Sequence, residues 1–342
     1  MRSSVRYALA LAVVVLGVGI YALTKKSSPS KPATPSTTST TKPAVPIAPL
    51  TGLPDPGGAA LTRPALVVKI ENDTNALPQF GIDQADVIYE EIVNGGITRL
   101  AAVFNQNAPA KIGPIRSVRP TDTQIVWPLG GIFAFSGGAP YAIASISTAP
   151  VKLVDESSAG AAMFRDPNRV APYNLYGNTS QLFAFGGKPT PPPHLFTYRA
   201  ANAPVPGVPV ASVFVPFPSI YGELWTWNAT LHGWVRSRPA FISGYGLHDI
   251  TGTGAIEAPK NVIVQYVNYV NGVGSFTSYG DLQSGGVADI FTAGHEITGT
   301  WKRASKSSVI QYLDAQGHPI ALTPGQTWVD LLNDGAALTV TH

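Results

Sequence analysis

Apolar and polar positions fall along the chain in three regimes. The first is one unbroken apolar run, Tyr7–Thr24 (YALALAVVVLGVGIYALT), which carries no charge. Its length suits a helix that crosses a bilayer and exceeds the apolar region of a cleavable signal peptide. Tyr21-Ala22-Leu23-Thr24 is also a poor cleavage site, so one uncleaved transmembrane helix is expected within residues 1–24. The second regime, Lys25–Pro49, is built almost wholly of Ser, Thr, Pro and Lys. It has no apolar period and cannot bury a core, so a disordered, extended stalk is predicted. From Leu50 onward short apolar runs alternate with turn residues, the pattern of a folded region.

Within that region Ala65–Ile70, Asp86–Val93, Ile97–Phe104 and Ile132–Phe135 read as buried strands. Asn94-Gly95-Gly96 reads as the turn between the second and third. Pro140–Ser147 and Thr179–Phe185 read as helices, the latter with Thr179 or Ser180 as N-cap. Two proline-rich spans, Gly187–Pro193 and Ala203–Pro209, suggest a connection between domains. Beyond them the pattern is mostly β: Leu224–Thr226, Gly233–Arg236, Asn261–Val270, Val287–Thr292, Ile297–Lys302, Val309–Leu313 and Ala337–Thr341, with a turn at Asp314–Gly317. The expected fold is an α/β (α+β) N-terminal domain over residues 50–195 and a mostly-β C-terminal domain over residues 205–342.

Composition sharpens this picture. Gly (34) and Pro (31) are abundant, which favours short strands and turns over long helices. The net charge is only +3 with dispersed cations, which speaks against a nucleic-acid partner. There is no cysteine, so disulfides, thiol nucleophiles and a lipid-modified N-terminal cysteine are excluded. A stalk between an apolar helix and a folded region predicts a single-pass cell-membrane protein with its globular part extracytoplasmic.

Charge is scarce, and one stretch concentrates several charges. Lys111–Asp122 (KIGPIRSVRPTD) holds Lys111, Arg116, Arg119 and Asp122, with Pro114 and Pro120 stiffening the backbone. Two guanidiniums on such a turn suit one carboxylate or phosphate, since each forms parallel hydrogen bonds. Structural pairing is the plainer alternative, with Asp122 as counter-ion or helix cap. In the hairpin over Asp86–Phe104, strand alternation sends Glu90 and Glu91 to opposite faces. One carboxylate therefore points inward and needs a cation. Arg99 and the arginines of KIGPIRSVRPTD are the available partners, in a buried network or beside a ligand. No two histidines have metal-ligand spacing, and no phosphate-binding glycine loop or nucleophile elbow occurs. No metal and no cofactor are expected. Most of the tryptophans in the second half are expected in the core, although Trp225 and Trp227 share a strand face that an exposed glycan platform would use.

Several strings resemble the YerB-like lipoprotein family, a bacterial family of unknown function. They are PLTGLPD (Pro49–Asp55), RPALVVKIEN (Arg63–Asn72), FGIDQADVIYEEIVNGGITRLAAVF (Phe80–Phe104), KIGPIRSVRPTD, SGGAP (Ser136–Pro140) and APYNLYGN (Ala171–Asn178). NVIVQYVNY (Asn261–Tyr269), GTWKRAS (Gly299–Ser305) and LTPGQTWV (Leu322–Val329) continue the resemblance in order. It implies an envelope-attached, two-part protein and supplies no reaction. It directs attention to Glu90, Gly95, Gly96, Thr98, Arg99, Gly113, Arg116, Ser117, Arg119, Asn174, His248 and Lys302. Two departures stand out: Phe135 and Tyr173 occupy positions where the family pattern often has histidine, which weakens any case for histidine catalysis or a metal.

The functional expectation is a membrane-anchored envelope module that binds an anionic ligand, such as wall material, or a protein partner. Arg99, Arg116, Ser117, Arg119, Asn174 and Lys302 are the candidate binding residues. The alternative is an envelope-polymer hydrolase with Glu90 or Asp122 as general acid/base, and His248 as a further catalytic candidate.

Overall fold

The computed structural model describes residues 45–186, 190–200, 202–218, 222–238 and 251–342. The Tyr7–Thr24 run and the stalk up to residue 44 lie outside the described residues, as does His248. Among the described residues no helix is long and apolar enough to cross a membrane. Val45–His342 forms one compact unit. The folded part begins inside the segment read as stalk: Ala48 is buried, its N–H meets Leu53 O at 2.9 Å, and Asp55 N–H meets Pro46 O at 2.7 Å. The apolar residues of Val45–Pro49 give this end of the stalk something to bury.

The centre of the molecule is a sheet whose strands we number in chain order: β1 Leu66–Glu71, β2 Val87–Ile92, β3 Thr98–Phe104, β4 Ile132–Phe135, β5 Lys152–Asp155, β6 Asn261–Val267, β7 Gly286–Thr292, β8 His295–Lys302, β9 Gln311–Leu313 and β10 Thr327–Asn333. They lie side by side as β9-β8-β7-β6-β10-β2-β3-β1-β4-β5, and Val208–Pro209 adds a short strand beside β8. The two sequence regions therefore share one sheet. They meet where β2 pairs with β10 in parallel, Glu90 opposite Asp330. The proline-rich connection also packs: Thr197–Tyr198 pairs with Ala321–Leu322.

All four α-helices among the described residues belong to the first region: Ala59–Thr62, Pro120–Val126, Pro140–Ile146 and Thr179–Phe183. The Thr179–Phe183 helix is capped by Asn178, whose side chain accepts Gln181 N–H, one residue before the expected cap. Among the elements that escaped the pattern reading are the Pro120–Val126 helix, the Ser212–Val215 strand, β5 and β10. A second sheet, Gly233–Ser237, Glu223–Asn228, Ser212–Val215 and Thr339–Thr341 in that order, packs on one face of the main sheet through Trp225 and Trp328, whose rings lie 5.2 Å apart. The Pro120–Val126 helix covers the other face, where Asp122 meets Lys69 of β1. With both faces covered, β1, β2 and β3 are buried along their whole length. That is why they read as nearly continuous apolar runs. Trp225, Trp234, Trp301 and Trp328 fill the core, so Trp225 forms no exposed platform with Trp227.

Candidate functional site

The segment Gly113–Arg119 is fixed by backbone before its side chains act. Where β4 ends, this segment takes its place beside β1: Glu71 N–H donates to Pro114 O at 2.9 Å and Arg116 N–H to Lys69 O at 2.8 Å. On its outer side Ser136 N–H donates to Arg116 O and Val118 N–H to Gly137 O, each at 3.0 Å. This pairing joins KIGPIRSVRPTD to SGGAP, two strings separate in sequence.

Strand register then gathers the charges. Glu71 of β1 lies opposite Arg99 of β3, and Arg99 lies opposite Glu91 of β2. Directly opposed residues of antiparallel strands share a face, so Lys69, Glu71, Arg99 and Glu91 all project towards the Pro120–Val126 helix. Arg99 Nη2 lies 3.2 Å from Glu71 Oε2, and Arg116 Nε lies 2.6 Å from the same oxygen. Arg99 Nη1 also reaches Ser117 O at 3.4 Å. Lys69 Nζ contacts Glu91 Oε1 and lies 2.8 Å from Asp122 Oδ1. Asp122 Oδ2 accepts Arg119 N–H at 2.7 Å, closing the first turn of the helix. Burial pushes the Asp122 carboxyl up to about 7, with Glu91 adding to the effect and Lys69 opposing it.

Arg119 is the exception in this cluster. Its guanidinium donates to Val118 O at 2.9 Å and Ser117 O at 3.5 Å, and its Nε has no hydrogen-bond partner. It forms no ion pair among the described residues. Burial lowers its pKa, and nearby Arg99 lowers it further, against the pull of Glu91 and Asp122. Four cations (Lys69, Arg99, Arg116 and Arg119) thus share three carboxyl groups (Glu71, Glu91 and Asp122), one of which titrates near neutrality. The excess is positive, and it reaches the surface: the Arg116 side chain is 25% exposed, and Ser117 and Arg119 are half-buried. Tyr173 stands 6.0 Å from Arg116, at the wall of a 540 Å³ surface cavity lined also by Asn75, Leu77, Arg169 and Val170. Such a group can hold a carboxylate or phosphate by charge-assisted hydrogen bonds.

Glu90 lies elsewhere. It points to the opposite face of β2, where its partners are Arg236 Nη2 (3.1 Å), Trp328 Nε1 (3.2 Å) and Asn72 Nδ2 (2.9 Å). Arg236 also binds Glu223 at 2.6 Å and lies 4.4 Å from the Trp328 ring. Glu90 and Arg236 are fully buried. Arg116 of KIGPIRSVRPTD therefore serves Glu71, Arg119 serves neither glutamate, and the cation that balances Glu90 comes from the second region. Sequence reading missed Glu71, Lys69 and Arg236. A charge inside an otherwise apolar run, as in ALVVKIE, was the available signal for the first two.

The other candidates are dispersed. Asn174 accepts Arg165 Nη1 at 2.7 Å in an exposed network with Glu156. Lys302 is exposed at the end of β8. Lys111 is paired with Asp166 at 2.7 Å and sits over the rings of Phe80 and Tyr176, at 4.2 and 4.1 Å. Among the described residues no cluster of three potential metal ligands occurs.

The model of a protein family of unknown function, the DUF3048 N-terminal domain, matches residues 50–189, and that of the DUF3048 C-terminal domain matches residues 213–329. A relative named "Putative lipoprotein YerB" from Bacillus subtilis (strain 168) is 26% identical over 303 residues, covering 85% of this chain and 87% of the relative. The crystal structure of YerB protein from Bacillus subtilis superposes with a TM-score of 0.73 at 22% identity, covering 87% of this chain and 100% of that one, and so has the same fold.

Proposed function

We propose a role for a chain that belongs to the two-part YerB-like family, with the N-terminal and C-terminal DUF3048 domains in order. It is an extracytoplasmic envelope protein that binds an anionic group of the envelope, a wall carboxylate or phosphate, through Arg116 and Arg119 with Arg99 behind them. One observation carries this reading: Arg119, three residues after the partly exposed Arg116, is a half-buried cation near Arg99 with no carboxylate partner among the described residues. The acid–base alternative has no such support, because Glu90 and Asp122 are both fully buried.

A lipoprotein is anchored through a cysteine, and this chain has none. The apolar run Tyr7–Thr24 takes over that duty as a single-pass anchor, with Lys25 onward as the stalk. Deleting residues 7–24 should then move the protein from the membrane fraction to the soluble one.

The binding test uses residues 45–342, which form one compact unit. This fragment should cosediment with purified cell wall at low salt, and the double variant Arg116→Ala/Arg119→Ala should not. Equal sedimentation of both proteins would overturn the proposal.

A further inference from the structure

Among the described residues, Lys69 is the lysine whose side chain is wholly buried. Directly across from it on β3 stands Ala101, whose small side chain leaves room for the lysine to reach Glu91 on β2. Its Nζ touches Glu91 Oε1 and lies 2.8 Å from Asp122 Oδ1, and all three side chains are 0% exposed. A buried ammonium with two carboxyl groups is a costly arrangement, because each charge has left water. The same three groups have the composition needed to remove those charges.

We propose that Lys69 and Asp122 condense into an intramolecular isopeptide bond, with Glu91 carrying the proton. The Nζ lone pair attacks Asp122 Cγ. The Nζ–Cγ bond forms and the Cγ–Oδ1 bond breaks. Of the three protons on the Lys69 ammonium, one stays on the amide nitrogen and two leave with Oδ1 as water. Glu91 carries both from Nζ to Oδ1 in turn, the first before the attack, which frees the Nζ lone pair, and the second as the Cγ–Oδ1 bond breaks, ending as it began. An ammonium and a carboxylate become one neutral amide and one water, so no oxidant, nucleotide or metal is required.

Three further observations fit this step. Asp122 Oδ2 accepts Arg119 N–H at 2.7 Å. That oxygen becomes the amide carbonyl, and the same N–H stabilises the negative charge it carries in the tetrahedral intermediate. Burial pushes the Asp122 carboxyl up to about 7, so the acid, the electrophilic form, is present at neutral pH. Glu91 Oε2 is buried without a hydrogen-bond partner among the described residues, which leaves that oxygen open to carry a proton. The link would close the chain between positions 53 residues apart, in a protein that has no cysteine for a disulfide.

The test is a peptide map of the full-length protein, purified folded and digested with trypsin in denaturant. The expected result is no cleavage after Lys69, and a branched peptide that joins the Lys69 and Asp122 segments. Its mass should be lower than the sum of the two linear peptides by one water, about 18 Da. Asp122→Ala and Glu91→Gln should each give linear peptides cut after Lys69. Linear peptides from the folded natural protein would overturn the proposal, and that result needs no variant to fold. A branched Lys69 peptide that persists in Asp122→Ala would overturn the choice of Asp122, and one that persists at full yield in Glu91→Gln would overturn the role of Glu91.

Discussion

Glu71 Oε2 lies 2.6 Å from Arg116 Nε, and the same oxygen lies 3.2 Å from Arg99 Nη2. One buried carboxylate thus holds two guanidiniums from separate segments. Removing it leaves both cations without their counter-charge, a change that costs about 3 kcal/mol or more at buried pairs. Glu71→Gln should lower the unfolding free energy in urea by about that amount. It should also tighten the binding of wall anions, because the arginines lose an internal competitor. A stable Glu71→Gln protein with unchanged affinity would mean that the cluster serves the fold alone.

Much of the fold was legible in local pattern, because β1, β2, β3 and β4 are apolar runs bounded by turn residues. β10 was not, since Asp330 interrupts its pattern and its place between β2 and β6 is set by parallel pairing over long sequence distances. The Pro120–Val126 helix was hidden by its length and by the cations before it. Alternation did separate Glu90 from Glu91, yet it could not say which cation each would meet. Arg236 reaches Glu90 only because a strand 146 residues later folds over that face. For the candidate site, Arg99, Arg116 and Arg119 were visible as a group, while Glu71 and Lys69 passed as parts of an ordinary strand.

Among the described residues Arg119 makes no ion pair, so its loss should cost the fold little. Arg119→Ala should change stability by less than about 1 kcal/mol, the range of weak polar contacts. A charge-assisted pair with a ligand is worth about 1.5–3 kcal/mol, so wall affinity should fall roughly tenfold to a hundredfold. The loss should shrink as salt rises, since the Arg119 rim is half exposed and open to screening. Equilibrium cosedimentation at two ionic strengths, beside a urea melt, measures both quantities.

Glu90 offers the opposite contrast. It pairs with buried Arg236 on the face turned away from Arg116. Glu90→Gln should destabilise the protein by about 3 kcal/mol and leave wall binding unchanged in samples that remain folded. Loss of binding from a folded Glu90→Gln protein would require the two faces to be coupled through β2.

Stability should also depend on pH through Asp86. This buried carboxyl accepts N–H groups of Asn105 and Gln106, while its Oδ1 has no partner among the described residues. Burial pushes it up to about 7, against the pull of those donors and of Arg63. The folded state therefore holds the proton more tightly than the unfolded chain, whose aspartate titrates near 3.8. The resulting stabilisation is complete below that value and is lost as pH rises through about 7. Melting temperature should rise as pH falls from 8 to 5, and Asp86→Asn should flatten that slope. An unchanged slope in the variant would assign the dependence to other groups.

Two glycines separate backbone strain from crowding. Gly95 has φ +77° and open space where a Cβ would stand, so Gly95→Ala carries only the left-handed penalty, about 1–2 kcal/mol. Gly113 has φ +139°, and an added Cβ would stand 2.9 Å from both Leu175 O and Tyr176 Cδ1. Its own N–H and C=O are paired with Phe80, so the backbone cannot move aside without breaking those bonds. Gly113→Ala should therefore cost more than Gly95→Ala, by about 1 kcal/mol or more. Gly113 also begins the segment that carries Arg116 three residues later. In urea melts and wall cosedimentation, Gly113→Ala should lose stability and affinity together, whereas Gly95→Ala should lose stability alone. Equal losses from the two variants would show that the close approach at Gly113 does not position the arginines.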